Sequence, residues 1–232
     1  MREQMPTEDP VEQTVQLDLG EVRLEGTLVL PPGTRGVVLF AHGSGSSRFS
    51  PRNRFVARKL QEGGIGTLLL DLLTRQEEMI DARTGHLRFD IGLLAERVIG
   101  AADWLRTKAD TRAMRIGYFG ASTGAAAAIV AAAREPTWVS AIVSRGGRPD
   151  LAESDLRRVQ TPTLLIVGGR DFEVLDLNRA ALEQLPGVKA LEIVPGATHL
   201  FEEPGALERV AELARGWFAT YLGQMRDRAR AA

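Results

Sequence analysis

The sequence contains no cysteine, and that absence narrows the chemistry open to the protein. None of its 232 residues can form a disulfide, a thiolate metal site or a cysteine nucleophile. An excess of one charge is also missing, because 29 Lys and Arg are balanced by 30 Asp and Glu, for a formal net charge of −1. This balance gives no electrostatic reason to expect nucleic acid or an anionic membrane as the main partner.

Long apolar runs are missing as well. No stretch approaches the roughly 18 uninterrupted apolar residues of a membrane span, and the N-terminal segment carries charges of both signs, unlike a signal peptide. The sequence therefore predicts a cytoplasmic protein without a membrane partner. With 44% apolar residues and no linker, we expect one domain over residues 13–224, a flexible N-terminus at 1–12 and a solvated C-terminal tail at 225–232.

The chain does contain short apolar runs that alternate with longer, helix-periodic stretches. The runs have the length and composition of strands buried on both faces of a parallel sheet. They are residues 37–40, 67–70, 115–119, 139–143, 164–167 and 191–194. Before them, residues 15–28 alternate apolar and polar side chains around Gly20, which is typical of an antiparallel hairpin at a sheet edge. The pattern predicts a three-layer α/β fold with a mostly parallel, twisted sheet.

Helix signals fill the intervals between these runs. Ser50 and Asp90 can cap helices, and the apolar residues of 206–222 recur with the spacing of one helix face. Residues 75–88 are a polar excursion that we expect to rim a site. Only 18 residues, 146–163, separate two of the strand-like runs, which leaves no room there for a large cap domain.

Residues 120–124 read Gly-Ala-Ser-Thr-Gly and match the pattern G-x-S-x-G. The motif directly follows the predicted strand 115–119 and directly precedes an alanine-rich helix predicted at 125–133. A serine between a strand and a helix is forced into a sharp turn, which small neighbours permit. The helix N-terminus then presents free N–H groups beside the hydroxyl. Ser122 is therefore the candidate nucleophile.

Two later loops supply partners for this serine. Asp171 follows the predicted strand 164–167, and His199 follows 191–194, which completes the order Ser, Asp, His. A carboxylate at the first position would hold the imidazole in the tautomer that accepts the serine proton. Two alternatives remain for the acid. Asp171 can be an ordinary cap or turn residue, and Asp150 can take its place, although an adjacent Arg-Pro pair favours a turn there.

Four motifs in this order resemble those of α/β-hydrolases: HGSG at 42–45, GASTG at 120–124, GGRD at 168–171 and GATH at 196–199. In its compactness the chain is similar to the dienelactone hydrolase family, over about residues 15–222. The resemblance implies an α/β-hydrolase fold and an oxyanion hole formed by the backbone N–H groups of Ser44 and Thr123. Dienelactone hydrolases proper use a cysteine nucleophile, so the serine here favours ordinary esterase chemistry.

The other two histidines are expected to be structural. His42 lies too early in the chain to be the catalytic base, and we expect it to brace the loop beside it. His86 lies in the polar excursion and is expected on the surface.

Arginines are concentrated where the pocket is expected. Arg145 and Arg148 follow the predicted strand 139–143, and Arg48 lies in the loop after 37–40. Ligands of open α/β sheets bind outside the carboxyl ends of the strands, so these guanidinium groups predict a site for an anionic substrate. The alternative is that they pair with neighbouring acids and hold loops in place.

The leading hypothesis is hydrolysis of small carboxylic esters through an acyl-enzyme intermediate, with Ser122, Asp171 and His199 as the triad. It requires a small-molecule ester and neither a cofactor nor a metal. The same residues would support acyl transfer to an acceptor other than water. A non-catalytic ligand-binding module of the same fold is the third hypothesis, and the presence of nucleophile, acid and base together argues against it.

Overall fold

The computed structural model describes residues 11–223, which are built on an eight-stranded sheet. Its strands are β1 (Glu12–Asp18), β2 (Arg23–Val29), β3 (Gly36–Ala41), β4 (Gly66–Leu70), β5 (Arg115–Ala121), β6 (Val139–Arg145), β7 (Thr163–Gly168) and β8 (Lys189–Val194). They are arranged in the order β1-β2-β4-β3-β5-β6-β7-β8. The expected N-terminal hairpin is confirmed, because β1 pairs antiparallel with β2 at the edge of the sheet. From β4 to β8 every neighbouring pair is parallel.

Helices cover both faces of this sheet. They are α1 (Pro51–Glu62), α2 (Arg75–Thr84), α3 (Ile91–Thr107), α4 (Thr123–Arg134), α5 (Phe172–Gln184) and α6 (Ala206–Leu222), and 3₁₀ turns span Leu87–Phe89 and Pro149–Arg158. Helices α1 and α6 pack with one apolar cluster, and α3 and α4 pack with the other. The three-layer α/β arrangement expected from the alternation of strands and helices is therefore the one observed.

The central strand β5 shows why the strand sequences are apolar throughout. Successive side chains of a strand point to opposite faces, and in β5 Tyr118 joins the α3–α4 cluster while Phe119 joins the α1–α6 cluster. Both side chains are fully buried. The ring of Phe119 lies 4.8 Å from that of Phe40 on β3, so adjacent strands also pack against each other on the same face.

Residues 75–88 contain a regular helix, which the sequence pattern did not indicate. Helix α2 begins with a capping box, in which Thr74 accepts from the backbone of Glu77 and the Glu77 side chain accepts from the backbone of Thr74. It ends at Gly85 in the left-handed conformation. Only Asp81 of this helix is buried, and this exposure explains why its sequence lacks an apolar face.

The expected flexible N-terminus and solvated C-terminal tail fall mostly outside the described residues. Within 11–223, β1 already begins at Glu12. In the same range, no helix is both long enough and apolar enough to span a membrane.

Candidate active site

Ser122 occupies the turn between β5 and α4 in a strained backbone conformation, with φ 50° and ψ −122°. Positive φ is uncommon for residues other than glycine and concentrates at functional sites. The two motif glycines permit this turn because the surrounding backbones are so close. A Cβ on Gly120 would overlap the Cα of Ala125, and a Cβ on Gly124 would overlap the carbonyl oxygen of Ala41. The glycines of the motif therefore set the position of the serine.

The two residues expected to serve as acid and base are in direct contact. Nδ1 of His199 lies 2.6 Å from Oδ2 of Asp171. An imidazole that donates from Nδ1 presents Nε2 as an acceptor, which is the tautomer a general base requires. Asp171 stands at the N-cap position of α5, yet its side chain makes no capping hydrogen bond. Both oxygens of Asp150, the rival acid, instead accept from Arg148 at 2.8–3.2 Å.

The segment after β6 connects the serine to the histidine. The N–H of Ser122 donates to the carbonyl of Arg145 at 3.4 Å, and the carbonyl of Ser122 accepts from the N–H of Arg148 at 3.1 Å. Between those two residues, a Cβ on Gly146 would lie 3.5 Å from Cε1 of His199. None of the hydrogen bonds within 11–223 joins the Ser122 hydroxyl to His199. Catalytic hydrogen bonds of this kind often form fully only when substrate is bound.

The two residues expected to supply the oxyanion hole lie next to each other. The backbone N–H of Ser44 donates to Oγ1 of Thr123 at 3.0 Å, and this bond joins the loop after β3 to the first turn of α4. The first N–H groups of a helix have no partner within the helix, so the backbone of Thr123 adds a second donor at this point. The contact also involves a side chain, the Thr123 hydroxyl, that the sequence motif does not single out.

His42 braces the loop after β3 as expected. The ring is 8% exposed. Its Nδ1 lies 2.9 Å from the carbonyl oxygen of Gly43, and its Nε2 accepts from the N–H of Leu72 at 3.1 Å, which links the loops after β3 and β4. Burial lowers the pKa of His42 and keeps the ring uncharged. His86 is exposed, and its ring lies 2.8 Å from the hydroxyl of Thr84.

A cavity of about 550 Å³ opens beside the turn between β5 and α4, with Thr123 in its lining. Residues 42–47, in the loop after β3, and the start of α1 form one side of it, and residues of the polar segment 75–88 form another, including Glu78, Asp81 and Arg88. Nε of Arg88 donates to Oδ2 of Asp81 at 2.5 Å. Desolvation and the neighbouring Asp71 raise the pKa of Glu78. Phe49, 56% exposed, adds an apolar surface to the lining.

Two of the three arginines expected to bind substrate are paired with acids. Arg48 forms an ion pair with Asp71 and donates to Glu25 at 2.6 Å, with only 10% of its side chain exposed. Arg148 is bound to Asp150 through two of its nitrogens. Both guanidinium groups are therefore paired with acids, which is the alternative that the sequence left open. Arg48 links separate segments of the chain, and Arg148 pairs within its own segment.

Arg145 differs from the other two. It is 8% exposed, and none of the salt bridges within 11–223 includes it. Its Nε and Nη1 are buried without a hydrogen-bond partner, and its guanidinium carbon lies 5.9 Å from the centre of the Phe201 ring. Burial, together with the nearby charge of Arg52, lowers the pKa of Arg145 to about 10. A buried cation without an acid is costly, so this residue is conspicuous.

Asp71, which engages Arg48, was not foreseen. It directly follows β4, and the rule that ligand sites form at the carboxyl ends of parallel strands would have pointed to it. Within 11–223, no group of three or more His, Asp or Glu side chains is arranged to hold a metal ion.

The sheet order and the strand–serine–helix turn define an α/β-hydrolase fold. The chain belongs to the dienelactone hydrolase family, whose family model matches residues 24–222. It is 62% identical to the dienelactone hydrolase of Anabaena variabilis, with a TM-score of 0.91 over 92% of this chain and 99% of that one. Est1E of Butyrivibrio proteoclasticus shares the fold at 16% identity, with a TM-score of 0.76 over 91% of this chain and 99% of that one.

Two proteins of Mycobacterium tuberculosis, named as candidate phosphoribosyl transferases, are each 56% identical to the chain over 211 residues. The match covers 91% of this chain and 47% of each of those proteins. The chain thus spans about half the length of these curated relatives.

The burial of His42 predicts a pH-dependent stability. Because burial lowers its pKa from the ordinary value of 6.5, the unfolded chain binds the proton more readily, and stability is lost as pH falls below about 6.5. Urea unfolding at pH 7.5 and 5.5 measures the effect. Between these two pH values, the free energy of unfolding of wild type should fall by up to about 1 kcal/mol more than that of His42→Gln. His86→Gln, which alters an exposed histidine, should keep the wild-type pH dependence. The same pH dependence of stability in wild type, His42→Gln and His86→Gln would contradict a lowered pKa for His42.

Proposed function

We propose that this protein is a serine hydrolase that cleaves small carboxylic esters through an acyl-enzyme intermediate. The observation that carries the proposal is the 2.6 Å contact between His199 and Asp171 near the strained turn of Ser122. Membership of the dienelactone hydrolase family supports hydrolysis as the reaction class.

In the proposed mechanism, Oγ of Ser122 attacks the ester carbonyl while Nε2 of His199 takes its proton. Asp171 orients the ring through Nδ1 and stabilises the imidazolium that forms. Collapse of the tetrahedral intermediate breaks the bond to the alkoxide, which leaves as an alcohol with the proton from His199. Water then attacks the acyl-serine with His199 again as base, and the acid is released with the serine restored.

The N–H groups of Ser44 and Thr123 are the proposed donors to the oxyanion. Negative charge develops on the carbonyl oxygen in both tetrahedral intermediates, and donors fixed in advance stabilise it without reorganisation. The bracing of the loop by His42 supports this role, because its two contacts fix the backbone at Gly43, next to Ser44, to the loop after β4.

Two separate observations support a narrower substrate class, small esters that carry an anionic group. One is the size of the cavity, and the other is Arg145, which lies outside the cavity lining at the end of β6. A volume of about 550 Å³ suits a small substrate. With Arg48 and Arg148 held by carboxylates, the anionic preference rests on Arg145, which an acidic group of the substrate would partner.

Acyl transfer to an alcohol acceptor would use the same residues and is the second candidate function. It would be detected as formation of a new ester, in place of the free acid, when an alcohol is added to the reaction. The transferase name of the M. tuberculosis relatives is not extended to this chain, because more than half of each of those proteins lies outside the match. The cytoplasmic location and the independence from cofactors remain predictions.

Replacing Ser122 with Ala should abolish esterase activity without unfolding the protein. The change removes one oxygen, and loss of a triad member costs several orders of magnitude in rate. Hydrolysis of a p-nitrophenyl ester and labelling by a fluorophosphonate probe should both be lost, while circular dichroism is unchanged. Ser140→Ala, at the opposite end of β6, is the matched control and should be labelled normally. Wild-type turnover by Ser122→Ala would exclude this mechanism.

Asp171→Asn and Asp150→Asn separate the two candidate acids. The first should lower kcat by about 10²- to 10⁴-fold, because the amide favours the wrong tautomer of His199. The second breaks only the pair with Arg148 and should change kcat less than about threefold. Steady-state kinetics on one neutral ester measures both, and a reversed order would assign the acid to Asp150.

Arg145→Gln tests the anionic preference. Wild type should hydrolyse a monoester of a dicarboxylic acid about 10- to 100-fold better, in kcat/KM, than the matching neutral diester, because a charge-assisted hydrogen bond is worth about 1.5–3 kcal/mol. Arg145→Gln should lose this preference, whereas Arg148→Gln, which disrupts an existing ion pair, should retain it. Equal kcat/KM for both esters in wild type would make Arg145 structural.

A further inference from the structure

The side chain of Thr123 lies at the point where the loop after β3, which carries Ser44, meets the turn at Ser122. It directly follows Ser122, is 2% exposed and lines the cavity of about 550 Å³ described above. Its Oγ1 accepts the N–H of Ser44 at 3.0 Å. One of the two proposed oxyanion donors is thus already engaged with this hydroxyl.

The proton of that hydroxyl is the unused part of the arrangement. A threonine hydroxyl has one proton to donate and two lone pairs, and within 11–223 Thr123 Oγ1 takes part in a single hydrogen bond, as the acceptor. The branched Cβ restricts χ1 and fixes the oxygen, while the proton rotates to suit its partner. An oxygen held in this way at the wall of the cavity can donate to a group bound there.

We propose that the Thr123 hydroxyl donates to the oxyanion and that the Ser44 N–H acts through this hydroxyl rather than directly. The Ser44 amide donates to Oγ1, and the Oγ1 proton donates to the carbonyl oxygen of the substrate as its charge develops. A hydroxyl that already accepts a hydrogen bond is a stronger donor, because the two bonds polarise each other. The hydroxyl keeps its proton throughout. This inference rests on the proposed hydrolase function and specifies how that site meets the oxyanion.

Three variants of Thr123 separate the hydroxyl from the rest of the side chain. Thr123→Val keeps the shape of the side chain but lacks the hydroxyl. Thr123→Ala lacks the hydroxyl and the methyl group, and Thr123→Ser keeps the hydroxyl but lacks the methyl group. We expect kcat to fall about 10- to 100-fold in Val and Ala, with KM changed less than about threefold, since the donor acts on charge that exists only in the transition state. Thr123→Ser should stay within about threefold of wild type.

Thr111→Val is the matched control. Thr111 is equally buried, at 1% exposure, and its hydroxyl donates to the carbonyl of Leu105. Thr111 precedes β5, whereas Ser122 and Thr123 follow that strand at its other end. Losing this bond should lower thermal stability without changing kcat. The comparison removes the general effect of deleting a buried hydroxyl.

A pair of inhibitors supplies a readout that a merely structural role would not move. A trifluoromethyl ketone that adds to the serine carries an oxyanion, whereas the corresponding secondary alcohol does not. Thr123→Val should weaken the ketone by the same factor as kcat and leave the alcohol unchanged. Equal weakening of both inhibitors, or a Thr123→Val enzyme as fast as wild type, would overturn the proposal. If Ser122→Ala itself kept full activity, the proposed serine mechanism would fail instead, so the two failures are distinguishable.

Discussion

The close approach of three backbones at the serine turn is the constraint on which the site depends. Strands β3 and β5 and the start of α4 come so near one another that Gly120 and Gly124 leave no room for a Cβ. The helix must therefore begin immediately after the strand, and Ser122 takes a positive φ to make the turn. The same proximity brings the loop after β3 within hydrogen-bond distance of Thr123. The strain at one residue is maintained by packing that spans the centre of the sheet.

The parallel sheet brings together residues from distant parts of the chain. Parallel strands present their carboxyl ends along one edge. The serine follows β5, Asp171 follows β7 and His199 follows β8, while the segment after β6 contacts both the serine and the histidine. Because both faces of the strands are buried under helices, the edge on which these loops lie is held by the whole core.

The arginines show how tertiary structure distinguishes residues that look alike in sequence. Arg48 and Arg148 are satisfied by carboxylates. Arg48 joins the loop after β3 to β2 and to the residue after β4, whereas Arg148 pairs with Asp150 within its own segment. Arg145 emerges from the end of β6 on the face covered by α1 and α6, where the described residues offer it an aromatic ring and a second arginine but no acid. Burial without an acid among the described residues, rather than position along the chain, distinguishes Arg145 from the other two arginines.

Hydrophobic runs and helix caps act over a few residues, and for that reason the sequence alone determined the strands, the N-terminal hairpin and the order of Ser122, Asp171 and His199. Helix α2 was not predicted from the sequence, because it is exposed and therefore has no apolar stripe. The partners of side chains were decided only in three dimensions. Thr123 and Ser44 are 79 positions apart, and Arg48 is 23 positions from both of its acids. No local pattern encodes such a pairing, since it depends on which loops the packed sheet brings together.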